Sequence, residues 1–155
     1  MKRNIRQAAV IGAGVMGGGI AALLASAGIQ TLLLDIVPLD LKPEDKENKA
    51  ARDRIAKAGL DTVRMAQPAL LMQKKDIGLI SIGNLEDDFN QLADCDWIVE
   101  VVVENLKIKQ DLLKRIEAVR KKGTIVSTNT SGIPLKAMSK GRGKEFKQHF
   151  LGTHF

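Results

Sequence analysis

Three glycines near the amino terminus constrain the fold of this chain more than any other feature. Gly12, Gly14 and Gly17 follow a short apolar run, residues 8–11, of the kind expected for a strand buried on both faces. A helix is predicted over residues 15–27, and Gly28 can end it as a C-cap. A strand, a tight glycine turn and a helix in this order predict a site for a pyrophosphate, which would lie against the free N–H groups of the helix.

An acid at the end of the next strand makes the glycine pattern more specific. The apolar run at residues 31–34 ends at Asp35, which could accept hydrogen bonds from both hydroxyls of an adenosine ribose. No arginine follows it in "DIVPLD", so the sequence favours NAD over NADP. The alternative is that the glycines only permit close packing and that Asp35 only caps a strand. A second register, Gly17-x-Gly19-x-x-Ala22, is rejected because its turn would fall inside the predicted helix.

Strands and helices alternate along most of the remaining chain. Strands are predicted at residues 79–82, from Trp97 through "DWIVEVVVEN", in "TIVSTN" and at the end of the chain; helices are predicted at residues 85–92, 106–120 and 134–138. This alternation predicts an α/β fold, a Rossmann-type doubly wound parallel sheet. Ligands of such sheets bind beyond the carboxyl ends of the strands. The glycine turn, Asp35, Glu104 and residues 129–131 should therefore surround one crevice.

Residues 36–76 interrupt the alternation. They are helical in pattern, with a break predicted at Gly59 and a kink near Pro68. The apolar face is thin and consists of Ile55, Val63, Ala66 and Leu70. We predict a helical insertion in the form of a two-helix arm projecting from the sheet; an ordinary crossover helix with a long loop is the alternative.

Three polar positions near the predicted crevice are open to two readings each. Glu104 is either a site residue or a solvated helix-capping acid, and Ser131 either bonds a substrate oxygen or is an ordinary turn serine. His149 and His154 would face opposite sides of a continuous final strand. His154 lies nearer the carboxyl end, where it would be either a general base or a structural residue.

Composition excludes several classes of function. The chain has 155 residues and a formal charge of +6, but its basic residues are scattered among acids and only 3% of residues are aromatic, so we predict no nucleic-acid binding. The apolar stretch at residues 8–27 imitates a signal peptide or membrane span, but its glycines suit the turn better. The single Cys95 fits a reducing, cytoplasmic location. No metal site is predicted.

Five segments in this order resemble the 3-hydroxyacyl-CoA dehydrogenases: "VIGAGVMGGGIAALLASAG", "LLLDI", "VVVENLKIKQ", "STNTSGI" and "FLGTHF". The chain is most similar to the dehydrogenase part of the large bacterial fatty-acid β-oxidation proteins that also carry an enoyl-CoA hydratase. The resemblance implies oxidation of an (S)-3-hydroxyacyl-CoA to the 3-oxoacyl-CoA, with hydride passing to NAD⁺.

The resemblance also implies a role for each matching residue. Glycines and neighbours of the turn, with the acid that follows, would hold the adenosine diphosphate half of NAD: Gly12, Gly14, Val15, Met16, Gly17 and Asp35. Glu104 and Lys109 would contact the cofactor further along. Ser131 would touch both the substrate oxygen and the nicotinamide side, and His154 would be the general base that removes the 3-hydroxyl proton.

Family members continue beyond the Gly-x-His-Phe segment, with a Glu that pairs with the His and a helical domain that forms most of the acyl pocket. We therefore expect residues 1–155 to be an NAD-binding domain, C-terminally truncated, with the substrate and dimerisation domain absent. Such a fragment should bind NAD and be inactive or nearly so; its oligomeric state is left open. The alternatives are a β-hydroxyacid dehydrogenase of the 3-hydroxyisobutyrate type and a non-catalytic dinucleotide-binding module.

Overall fold

The computed structural model describes residues 4–155, which form one six-stranded, fully parallel sheet. The strands are β1 (Gln7–Ile11), β2 (Gln30–Asp35), β3 (Ile80–Asn84), β4 (Trp97–Glu100), β5 (Ile125–Thr128) and β6 (Phe150–Gly152). They lie in the order β3-β2-β1-β4-β5-β6. The chain adds β2 and β3 on one side of β1 and then crosses to the other side, so the switch point lies between β1 and β4. This confirms the predicted Rossmann-type class.

Helices cover both faces of the sheet. They are α1 (Val15–Ser26), α2 (Lys49–Arg52), α3 (Arg54–Met65), α4 (Leu106–Val119), α5 (Leu135–Met138) and α6 (Lys144–Gln148), with 3₁₀ turns at Pro43–Asp45, Lys74–Leu79 and Phe89–Asp94. On one face, α1 and α3 pack on the sheet through side chains such as Ile20 and Val63. On the other face, α4, α5 and α6 contribute Ile116, Met138 and Phe146 to a second cluster. The sheet is therefore buried on both faces, as its continuous apolar strands require.

The insertion after β2 differs from the predicted two-helix arm. Gly59 does not break a helix, because it lies inside α3 and faces the glycine turn. A Cβ atom at Gly59 would lie 2.4 Å from the carbonyl oxygen of Ala13. The prediction of a break was wrong because this glycine provides close packing rather than chain flexibility. Residues 36–76 thus correspond more closely to the alternative, a crossover helix with long loops, and α3 rests on the turn that begins α1.

Four further local predictions were inaccurate. The strand that begins at Trp97 is shorter than predicted and ends at Glu100. The Glu100 side chain accepts a hydrogen bond from the Val102 N–H just beyond the strand. Helix α3 ends at Met65 and so does not reach Pro68, where a kink was predicted. The short helix predicted at residues 85–92 is a 3₁₀ turn at Phe89–Asp94. His149 ends α6 instead of lying in a strand continuous with His154, because the basic segment before it is helical.

The apolar stretch at residues 8–27 divides into β1, the glycine turn and α1. Among the described residues, no helix combines the length and the apolar character that crossing a bilayer requires.

Candidate active site

The glycine turn joins β1 to α1, and each of its three positions favours glycine for a different reason. Gly12 has a φ of +109°, in the region that favours glycine, and a Cβ there would lie 2.5 Å from the Val101 carbonyl oxygen. A Cβ at Gly17 would lie 1.7 Å from the Gly12 carbonyl oxygen, so this glycine lets α1 approach the turn. Gly14 has no atom within 4 Å of its would-be Cβ. That open space is what a ligand approaching the backbone needs.

The amino terminus of α1 suits an anion. Gly14 caps the helix without a side chain, and the first turn contains no acidic residue. The N–H groups of this turn therefore keep their donor capacity, and the helix dipole adds partial positive charge. A pyrophosphate group fits this arrangement by charge, by hydrogen bonding and by the space at Gly14.

Asp35 lies at the carboxyl end of β2 and is tied to the glycine turn. Its Oδ2 accepts from the Ala13 N–H at 2.6 Å and its Oδ1 accepts from the Ile36 N–H at 2.7 Å. A carboxylate offers about four acceptor sites, so both oxygens keep capacity for ribose hydroxyls. Asp35 thus fixes the backbone of the turn, a role that the sequence did not reveal.

Two adjoining depressions form a crevice over the switch point. The first, of about 370 Å³, is lined by residues 14–17, residues 101–104, Lys109, Asn129 and Thr130. The second, of about 560 Å³, includes Asp35, Ile36, Ile108 and Arg115 in its lining. Gly14 and residues 101–103 belong to both linings. Most predicted cofactor-binding residues therefore lie in one continuous crevice at the carboxyl edge of the sheet.

Glu104 and Lys109 both line the first depression, but their surroundings differ. Glu104 is exposed and accepts a hydrogen bond from the Thr130 hydroxyl, which links the loop after β4 to the loop after β5. Lys109 is fully buried and forms an ion pair with Glu100, with 2.7 Å between Nζ and Oε1. The Lys109 side chain is therefore fixed in place beneath the crevice.

Ser131 and His154 do not contribute to the lining of either depression. Ser131 is exposed in the loop that follows β5, next to Thr130. His154 is also exposed, and the residues on both sides of it are tied to the end of β5: Thr153 N–H donates to the Thr128 carbonyl at 2.9 Å, and Phe155 N–H donates to Asn129 Oδ1 at 3.2 Å. His154 thus lies at the same edge of the sheet as the crevice. Its predicted role as base remains a prediction.

Sequence reasoning did not single out two residues at or beneath the crevice. Glu100 is completely buried, and the signal that could have found it is an acid inside an apolar run of the sequence. Arg115 lines the second depression and stacks over the Phe89 ring, with 4.0 Å from its Cζ to the ring centroid. Cys95 is not a further reactive group, since burial raises the pKa of its thiol to about 12.

The sheet order, the glycine turn and the acid at the end of β2 together define a dinucleotide-binding domain of the kind found in oxidoreductases. The family can be given as well. A family profile described as "3-hydroxyacyl-CoA dehydrogenase, NAD binding domain" matches residues 7–155. The chain therefore belongs to the 3-hydroxyacyl-CoA dehydrogenase family, as its NAD-binding domain, and its cofactor is NAD.

Known relatives agree with this assignment. Two proteins, each called "Probable 3-hydroxyacyl-CoA dehydrogenase", are 48% identical to it: one from Bacillus subtilis, matched over 100% of this chain and 20% of its own length, and one from Deinococcus radiodurans, matched over 98% and 42%. The crystal structure of 3-hydroxybutyryl-CoA dehydrogenase from Escherichia coli matches with a TM-score of 0.76 and 26% identity, over 99% of this chain and 30% of that one. The chain thus spans less than half the length of these relatives.

Proposed function

We propose that this chain is the cofactor-binding part of an enzyme that oxidises (S)-3-hydroxyacyl-CoA to 3-oxoacyl-CoA with NAD⁺ in fatty-acid β-oxidation. The observation that supports the proposal best is the crevice itself. In it, a helix terminus without a side-chain cap, a glycine with open space beside it and the Asp35 carboxylate lie together at the carboxyl edge of the sheet. Two relatives at 48% identity are each named "Probable 3-hydroxyacyl-CoA dehydrogenase".

NAD would lie in the crevice in a defined direction. Asp35 and the second depression would receive the adenosine, and the turn from Gly12 to Gly17, with Val15 and Met16, would receive the pyrophosphate. Glu104 and Lys109, further along the first depression, would then face the nicotinamide riboside. The negative charge of Asp35 would repel a 2′-phosphate, which is why NADP should bind poorly.

The proposed chemistry assigns the proton transfer to one side chain of this chain and the positioning of the substrate oxygen to another. Bound NAD⁺ supplies the acceptor for the hydride. An unprotonated ring nitrogen of His154 would accept the proton of the 3-hydroxyl group, and the Ser131 hydroxyl would hold the substrate oxygen by a hydrogen bond. Both side chains are exposed at the carboxyl edge of the sheet, where a substrate could reach them.

We further propose that residues 1–155 bind NAD but turn over substrate very slowly on their own. Among residues 4–155, the ion pair that involves a histidine joins His149 to Glu145, and no carboxylate partners His154, so its exposed imidazole is not held in one orientation. Loss of an orienting carboxylate costs about 10⁴-fold in a serine-protease triad. A similar loss is expected here.

A chimaera separates cofactor binding from catalysis. In it, this chain replaces the matching segment of the Deinococcus radiodurans relative, to which it is 48% identical. NADH binding is measured by fluorescence, and NADH formation is followed spectrophotometrically with a 3-hydroxyacyl-CoA. The isolated chain should bind NADH with little turnover, and the chimaera should bind and turn over. His154→Ala in the chimaera should keep binding and lose activity.

Other results would contradict the proposal. A chimaera that oxidises simple hydroxyacids but ignores CoA thioesters would favour the 3-hydroxyisobutyrate type of enzyme. A chimaera that binds NADH without any turnover would favour a non-catalytic dinucleotide-binding module. Full activity of the isolated chain would refute the argument about the unsupported histidine.

A further inference from the structure

A buried charge pair lies directly beneath the crevice. Glu100 at the end of β4 is 0% exposed and Lys109 on α4 is 1% exposed, with 2.7 Å between the carboxylate and the ammonium. Removing two charges from water is costly, and a buried pair is often no more stabilising than apolar side chains of the same volume. A contribution to folding stability is therefore a weak explanation for the presence of this buried pair.

The Glu100 carboxylate accepts hydrogen bonds where β4 and β5 lead into the two loops that border the first depression. Its Oε1 accepts from the Val102 N–H at 2.7 Å, and Val102 belongs to the wall shared by the two depressions. Its Oε2 accepts from the Thr128 hydroxyl at 2.6 Å, and Thr128 is the last residue of β5 before the loop that carries Ser131. One side chain thus fixes the ends of two neighbouring strands.

Lys109 is oriented by the same contacts. Its Nζ donates to Glu100 Oε1 and to the Val102 carbonyl oxygen at 3.0 Å. An ammonium group has three N–H donors. Lys109 also lines the first depression although its side chain is only 1% exposed, so a ligand in that depression would lie against it and could accept from the third N–H. Without Glu100 the ammonium would lose its main partner and its fixed position.

We infer that Glu100 is a positioning residue for the nicotinamide half of the cofactor. It acts through Lys109, through the backbone at Val102 and through Thr128, and it does not touch the cofactor itself. The inference rests on the proposed function in one respect, that NAD occupies the crevice with its adenosine at Asp35. The first depression contains Lys109, whereas the lining of the second does not. Loss of Glu100 should therefore weaken NADH binding more than ADP binding.

The experiment compares dissociation constants for NADH and ADP in the chain and its variants by calorimetry. Glu100→Gln and Lys109→Met should each weaken NADH binding about tenfold, the size expected when a hydrogen bond to a charged group is lost. ADP binding should change by less than about twofold in each. Lys114→Met, which removes an exposed lysine that lies on the same helix and lines neither depression, is the matched control and should change neither constant.

A double variant keeps the test decisive if a single variant unfolds. Glu100→Gln with Lys109→Met leaves no unpaired buried charge, so its thermal stability should recover toward that of the unaltered chain. Its NADH affinity should stay about tenfold low, because binding needs the ammonium and not merely a folded core.

Recovery of NADH affinity in the double variant would overturn the inference, since the pair would then serve folding alone. Equal losses of NADH and ADP affinity would overturn it as well. These results differ from a failure of the proposed function, in which the unaltered chain itself would bind no NADH.

Discussion

Replacing Gly17 by alanine tests whether close approach of α1 to the glycine turn builds the site. The added Cβ would lie 1.7 Å from the Gly12 carbonyl oxygen. Ordinary contacts between such atoms are about 3.5 Å, so the turn and the helix must separate by about 2 Å. The obstructing atom belongs to the backbone, which cannot rotate away as a side chain could. Gly19, two residues along the same helix, has no atom within 4 Å of its would-be Cβ and provides the matched control.

The two substitutions should shift stability in opposite directions. Overpacking costs about 1–3 kcal/mol, and this rigid contact should lie near the upper limit. For a chain of this size, Gly17→Ala should then lower Tm by about 6–12 °C. Gly19→Ala should raise Tm by about 2–4 °C, because alanine is about 1 kcal/mol better than glycine inside a helix.

Circular dichroism melting and NADH fluorescence titration measure both effects. Gly17→Ala should also weaken NADH binding by at least about tenfold, since the N–H groups of α1 move away from the turn. Gly19→Ala should bind NADH normally. If Gly17→Ala melts and binds like the unaltered chain, close packing is not the reason for this glycine, and the account of the turn fails.

Three further predictions follow from other contacts. Gly59→Ala should lower Tm and weaken NADH binding, because its Cβ would lie 2.4 Å from the Ala13 carbonyl oxygen and push α3 off the turn; parallel melting and titration check this. Hydrogen bonds from Arg52 and from the Asn84 amide lower the pKa of the Asp87 carboxyl to about 2. The stabilisation from Asp87 should therefore be complete above about pH 5 and disappear as the pH falls to about 2, so that Asp87→Asn flattens the dependence of Tm on pH in that window. Asp35→Ser should reduce the preference for NADH over NADPH by at least about tenfold, measured as a ratio of dissociation constants, and an unchanged ratio would contradict the assigned role of this acid.

The local pattern of the sequence was sufficient to predict the architecture and the glycine turn and acid that border the crevice. Continuous apolar runs predicted β1, β2, β4 and β5 because parallel strands are buried on both faces. The glycine spacing predicted the turn because only glycine tolerates the backbone conformation at Gly12 and the contact at Gly17. Burial in a strand and the backbone conformation of a turn depend on the residue type at each position and its near neighbours, so they can be predicted from the local sequence.

Contacts between distant segments could not be read in this way. Gly59 was predicted to break a helix because a glycine inside a helical pattern has two meanings, and only its neighbour Ala13 decides between them. Glu100 was passed over because the charge that neutralises it lies on α4 and the hydroxyl that it holds lies on β5. The sequence by itself determined which residues could form a dinucleotide crevice, since that depends on local backbone chemistry. Tertiary packing alone decided which buried charge lies beneath the crevice, since Glu100 and its partners on α4 and β5 meet only when the sheet has formed.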